Sequence, residues 1–182
     1  MKPKMHTWII LIRGINVGGN NIVPMKELRY KLSQSGYKNV RTYIQTGNVI
    51  LETTQSEANK IRDHIASCMT DGFGFTPKII VISAAILSKV IADNPYSNAV
   101  NEPKHLHVFF LGEPTKNVDM DTLNSIKSAN ENYHITDHAA YLHLPDGVWK
   151  SKLGARLEKC LGVATTARNW RTVNTLSSLV NT

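Results

Sequence analysis

The residues best suited to hold a ligand lie in three short stretches. The first is Arg13-Gly14-Ile15-Asn16-Val17-Gly18-Gly19-Asn20-Asn21, in which three glycines and three asparagines fall within nine positions. These types accept the positive φ values that other residues avoid, so the segment reads as a loop able to bring bare backbone N–H groups close to an anion. Arg13 and Lys26 supply charge, and the helix pattern that opens at Pro24 adds orphan N–H donors. The second stretch runs from Val40 to Val49, where Arg41, Tyr43, Gln45, Gly47 and Asn48 flank or form a tight turn. The third, Thr165 to Thr172, sets Arg168, Asn169, Trp170 and Arg171 side by side, and arginine next to a planar aromatic is a common way to hold a phosphate and a ring. The candidate ligand-binding residues are therefore Arg13, Asn16, Gly18, Gly19, Lys26, Arg41, Tyr43, Gln45, Gly47, Asn48, Arg168, Asn169 and Trp170. Each stretch has a structural account as well. Glycines let a loop pack against a hairpin turn, and residues 168–170 can cap the last helix with Trp170 as packing volume.

Other chemistries fit less well. Gly14 and Gly19 have the spacing of a P-loop, but Asn20-Asn21 stand where that motif needs Lys followed by Ser or Thr, and the helix starts several residues late. Stacking of bases on a sheet, as in an RRM, needs aromatics at the centres of two central strands; Trp8 to Ile12 and Val49 to Leu51 carry none there, which leaves Tyr43 between Arg41 and Gln45. His105 and His107 alternate on one strand, with His134, His138 and His143 on the neighbouring hairpin. No Cys or carboxylate falls at matching spacing, so no metal is expected and the histidines read as polar residues on a solvent-facing sheet surface. No Ser-His-Asp grouping stands out, and Cys68 and Cys160 sit inside apolar helix patterns. The sequence thus names no catalytic residue and no cofactor.

The elements that must position these residues follow from hydrophobic periodicity. Trp8 to Ile12 is a continuous apolar run and reads as a central strand. Met25, Leu28 and Leu32 mark a helix that Gly36 ends; Val40 to Gln45 and Val49 onward make a hairpin over residues 40 to 53. Ser56 is placed to cap a second helix with Ala58, Ile61, Ile65 and Met69 on its apolar face, and Lys78 to Ile82 is a fourth strand. The order β-α-β-β-α-β is that of a ferredoxin-like unit, with the sheet expected in spatial order 4-1-3-2. Such a topology carries three loops, Arg13 to Val23, Gln45 to Asn48 and Asp71 to Thr76, to one edge of the sheet. It predicts a shallow polar cleft there, with Arg13 and the backbone of Gly18 and Gly19 facing an anion.

A second, smaller part follows. Ser83 opens a short helix through Leu87 and Val90, and Asn94-Pro95 breaks it. Leu106 to Leu111 reads as a strand, Met120 to Ile126 as a helix, Tyr133 to Thr136 and Ala139 to Leu144 as a hairpin. Trp149, Leu153, Leu157 and Leu161 line one face of a further helix that Gly162 ends. The expected class is α+β: a ferredoxin-like subdomain over residues 1–93 and a second subdomain over 94–182 in the order β-α-β-β-α, including the C-terminal helix.

Three of the stretches quoted above, Leu11 to Gly19, Val40 to Val49 and Thr166 to Val173, together resemble a family of mostly bacterial proteins catalogued as domain of unknown function 1697. The resemblance covers nearly the whole chain. It implies an α+β fold with a ferredoxin-like N-terminal part, and it implies no activity, since the family's name records none.

Composition sets the remaining bounds. The 182 residues carry a formal net charge of +7, with a sequence pI near 9.5, which suits phosphates and acidic partners as well as plain solubility. Two cysteines argue against a disulfide framework, and the apolar run at Trp8 to Ile12 is too short for a signal peptide. No run approaches membrane-spanning length. A cytoplasmic protein without a membrane is expected, of no stated oligomeric state. Three functions fit: a site for a phosphorylated small molecule such as a nucleotide, a nucleic-acid-binding module resting on charge alone, and a structural or protein-interaction domain without a ligand. Saturable binding of mononucleotides favours the first, and strongly salt-dependent binding of oligonucleotides the second.

Overall fold

Five consecutive buried residues, Trp8 to Ile12, end the first strand, β1 (His6–Ile12). A strand is apolar at successive positions where both of its faces are covered, and β1 is also paired along both of its edges. The computed structural model describes residues 3–181 and resolves two units, one ending at Ser88 and taking in Leu176 onward, the other Lys89–Thr175. In the first unit β1 is followed by α1 (Met25–Gln34), β2 (Lys38–Tyr43), β3 (Asn48–Thr53), α2 (Ala58–Phe73) and β4 (Ile79–Ser83). The sheet order is β2-β3-β1-β4 with every pairing antiparallel, the ferredoxin-like arrangement expected from the element order. Trp8, Ile10, Ile12, Val49 and Leu51 form one core with Leu28 and Leu32 of α1 and Ile61, Ile65 and Met69 of α2. The alternate residues Ile9, Leu11 and Ile50 are buried too.

The second unit repeats the plan. It contains β5 (Leu106–Leu111), α4 (Met120–Ile126), β6 (Asn132–Ile135), β7 (Ala139–His143), α5 (Lys152–Leu161) and β8 (Thr165–Asn169), in sheet order β6-β7-β5-β8. Phe109, Leu111, Ala140 and Leu142 pack with Leu123, Leu153, Leu157 and Leu161. Its strand β8 completes the β-α-β-β-α-β order; the sequence reading stopped at the preceding helix because Arg168, Asn169 and the threonines lack the apolar alternation of a strand. Each fourth strand leads straight into a helix, α3 (Ala84–Ala92) after β4 and α6 (Trp170–Val180) after β8. The division drawn from the sequence at residues 93 and 94 differs from these units, since α3 and α6 each contain residues of both.

Local departures from the sequence reading have identifiable causes. Ser56 does not cap α2; Glu57 holds that position, without a side-chain cap. Its N–H is taken by Gln55 Oε1 at 3.0 Å, in a turn that starts where Thr53 Oγ1 accepts from Gln55 N–H. Trp149 is 93% exposed rather than on the buried face of α5, because Ser151 Oγ accepts from Gly154 N–H and starts that helix two residues past it. His107 is 8% exposed, not on an open surface, because all six residues of β5 are buried. Ile44 lies outside β2, in the turn, at φ 48°.

Candidate functional site

At the end of β1 the backbone joins three segments. Ile12 N–H donates to Gly47 O at 2.8 Å and Arg13 N–H to Lys78 O at 2.9 Å, so the loop after β1, the β2–β3 turn and the chain entering β4 meet at one sheet edge. The approach is close enough that a Cβ on Gly47 would collide with the Ile12 carbonyl oxygen, and Gly47 also has φ 80°. Glycine is required there on both counts. Asn48, fully buried, steadies the same turn by donating from Nδ2 to Tyr43 O at 3.2 Å and to Thr46 Oγ1 at 3.0 Å.

The Gly/Asn-rich segment folds into a small hairpin. Asn16 N–H donates to Asn21 O and Asn20 N–H to Val17 O, with Gly18 and Gly19 at the tip at φ 59° and 76°. Two successive positive φ values are what a tight reverse turn between right-twisted strands requires. Asn16 then ties this hairpin to its surroundings. Its Oδ1 accepts from Val23 N–H at 2.8 Å, and its Nδ2 donates to Val23 O and to Gln45 O, both at 2.9 Å. One side chain at φ 54° thus links the first sequence motif to the second.

Between the loop and the turn lies a cleft of about 470 Å³. Asn16, Ile22, Val23 and Pro24 line it from the loop, Met25 and Arg29 from α1, and Thr42, Ile44 and Gln45 from the hairpin. Arg29 Nη1 donates to Thr42 Oγ1, which holds the guanidinium against β2. None of the lining residues is acidic; no side chain caps α1, whose start at Pro24 and Met25 lines the cleft and whose first turn carries Glu27 outside the lining. The lining offers a guanidinium and the side-chain amides of Asn16 and Gln45, and holds no Cys, His, Asp or Glu to move a proton.

Of the thirteen residues singled out in the sequence, Asn16 and Gln45 line this cleft. Arg13, Gly18, Gly19 and Lys26 are exposed on the neighbouring loop and helix start, Arg41 and Tyr43 are half-buried on β2, and Gly47 and Asn48 build the turn. Arg168, Asn169 and Trp170 fall in the other unit's residue range. Arg168 is buried on β8, where Nη1 donates to Thr166 Oγ1 and Ala167 O, and burial pulls its guanidinium down to about 10. Asn169 Oδ1 accepts from Thr172 N–H and caps α6; Trp170 is 4% exposed.

Sequence reasoning missed Arg29, Thr42, Ile22, Met25 and Ile44 as lining residues. The signal for Arg29 was its place four residues after Met25, which stacks the two on one side of α1. For Ile44 none existed, because the alternation of Val40 and Thr42 extends to it. Among the described residues no group of three or more His, Cys, Asp or Glu is placed to hold a metal ion. The sheet face carrying Ile9, Leu11 and Ile50 is buried, so bases cannot stack there.

Comparison with known proteins follows the same lines. The conserved bacterial protein SP0830 from Streptococcus pneumoniae is similar in structure, with a TM-score of 0.72 and 21% identity over 97% of this chain and 99% of that one. Identity at that level shows a shared fold. No curated protein matches the chain. The family described as Protein of unknown function (DUF1697) matches residues 5–141, which takes in both motifs that frame the cleft and stops before the third. With most of its length matched, the chain belongs to the DUF1697 family.

Proposed function

We propose that the loop edge of the first unit binds a phosphate-bearing small molecule such as a nucleotide, in a protein of the cytoplasm. The observation that carries the reading is the cleft itself: Asn16 joins the two motif loops around it, Arg29 supplies a positioned guanidinium, and no lining residue is acidic. Its volume of about 470 Å³ falls in the range of small-molecule sites. Arg13 and Lys26, exposed nearby, add to the positive field that draws an anion in. The cytoplasmic placement is supported by two free cysteines, and among the described residues no helix is long and apolar enough to cross a membrane.

The test is a thermal-shift and calorimetric screen of mononucleotides and phosphorylated metabolites on the wild type, Arg29→Gln and Arg13→Ala. Saturable binding of at least one compound is expected. It should weaken by about 1.5–3 kcal/mol in Arg29→Gln, the worth of a charge-assisted hydrogen bond, and by less in Arg13→Ala. Binding of oligonucleotides with a steep salt dependence, and no saturable binding of any mononucleotide, would overturn the reading in favour of a nucleic-acid surface.

A further inference from the structure

The walls of the cleft say more about its occupant than the guanidinium does. Ile22 on the loop is 61% exposed and Ile44 on the turn 49% exposed, and half-buried Met25 lies on the same lining. A large aliphatic side chain left in water gives the fold nothing. Ile44 is costly in a second way, because its φ of 48° puts a β-branched residue in the left-handed region. Asn or Gly would fit that turn without strain, and Asn16, Asn21 and Asn39 do hold such conformations elsewhere in the unit. The chain thus keeps a strained and exposed isoleucine at the mouth of a cleft whose cation is Arg29.

Resting on the anion-binding reading above, we infer that the ligand is an amphiphile, a phosphate joined to an aromatic or otherwise apolar body. The apolar body packs on Ile22, Met25 and Ile44 while the phosphate meets Arg29. Arg29 engages Thr42 through Nη1, which fixes the guanidinium and so fixes where the anionic end must lie. The site accordingly favours nucleoside or aryl phosphates over sugar phosphates and over phosphate alone.

Calorimetry on the full chain with inorganic phosphate, ribose 5-phosphate, phenyl phosphate and adenosine monophosphate tests this, repeated on Ile22→Ser, Ile44→Asn and Arg29→Gln, with melting and sedimentation measured for each variant. The two aromatic phosphates are expected to bind about tenfold or more tightly than the other two. Ile22→Ser and Ile44→Asn should each remove most of that preference by weakening the aromatic phosphates more than ribose 5-phosphate, and Ile44→Asn, which suits the left-handed turn, should melt no lower than wild type. Similar affinity for all four probes, unaffected by either isoleucine variant, would overturn the inference and leave the anion site standing. Wild-type self-association that the isoleucine variants abolish, with ligand preference intact, would also overturn it, since the apolar rim would then serve a second copy. No binding of any probe would remove the inference and the proposed function together.

Discussion

The first strand of each unit ends in the same pair of backbone hydrogen bonds. In the first unit Ile12 N–H reaches Gly47 O at 2.8 Å and Arg13 N–H reaches Lys78 O at 2.9 Å; in the second, Leu111 N–H reaches His138 O at 3.0 Å and Gly112 N–H reaches Ala164 O at 2.8 Å. The registers agree as well. Leu11 pairs with Asn48 and Ile80, and Phe110, in the matching place, pairs with Ala139 and Thr166. Ser83 and Asn169, the last residues of the fourth strands, both cap the helix that follows. The frame is therefore built twice, and the loops grafted on it differ. Between β1 and α1 lies the Asn16 hairpin with its cross-tie to Gln45; between β5 and α4, the chain from Gly112 to Asp119 spends Asp119 on capping α4 through Thr122 N–H. The loop after β5 also carries Glu113 and the β6–β7 turn Asp137, whereas residues 13–23 and 45–48 of the first unit hold no acid. Strand order brings the loops together, and the residues of the loops decide what lines the space between them.

The largest expected effect breaks the comparison at its closest contact. Gly47→Ala forces a Cβ against the Ile12 carbonyl and strains a left-handed residue, so it should lower stability by about 2–4 kcal/mol. His138→Ala, at the matching place of the second unit, should fall within about 0.5 kcal/mol of wild type. Denaturant midpoints of the two variants check the pair, and equal losses would mean that the turns are equivalent after all.

Asn16→Ala comes next, at about 2 kcal/mol, because the substitution removes three hydrogen bonds worth about 1 kcal/mol or less each and a side chain suited to positive φ. The same variant should lose ligand-induced stabilisation altogether, since the Gln45 turn is no longer tied to the loop. Intact ligand stabilisation in a destabilised Asn16→Ala would separate the cross-tie from the site.

Tyr141 occupies on β7 the place that Ile50 occupies on β3. Ile50 is apolar and 1% exposed, whereas Tyr141 donates its hydroxyl to Val90 O at 2.7 Å and its phenol is pushed up to about 12 by burial. Val90 O belongs to the last turn of α3, where carbonyls run short of intrahelical partners. Tyr141→Phe leaves that carbonyl buried without its partner and should cost about 1–2 kcal/mol, read as a fall in the melting temperature.

Much of this frame was legible in residue types. The apolar run from Trp8 to Ile12, the helical spacing of Ile61, Ile65 and Met69, and Gly162 after Leu161 each state a local preference that the fold obeys. Gly47 and Asn16 stood out because their types suit unusual backbone conformations. Arg29 and Ile44 did not, since an arginine on a helix and an isoleucine after a strand look ordinary until the tertiary structure places them at one cleft. Strand β8 was hidden for a related reason: Arg168 and the threonines are buried by packing, and polar residues announce no strand in advance.

The smallest effect concerns Trp8 and His107, which hold matching places on β1 and β5. Each donates to a backbone carbonyl, Trp8 Nε1 to Gln55 O at 3.1 Å and His107 Nε2 to Lys104 O at 3.0 Å. Tryptophan does not titrate. Burial pulls the His107 pKa below its ordinary value, the bond to Lys104 O opposes the change, and the charge of His105 adds to it; His105 itself sits 3.0 Å from Glu102. In the unfolded chain His107 takes a proton at about pH 6.5, while in the fold it stays neutral until a lower pH. Between those two values the unfolded state binds more protons, so stability falls as pH drops through that window and levels off below the folded pKa. His107→Gln keeps an N–H donor for Lys104 O and cannot titrate. Melting temperatures of both proteins between about pH 8 and about pH 5 give the answer, because the difference between them isolates one histidine from the other six. The wild type should lose more stability on acidification than His107→Gln does, and parallel curves would show that this histidine is protonated in the fold as readily as out of it.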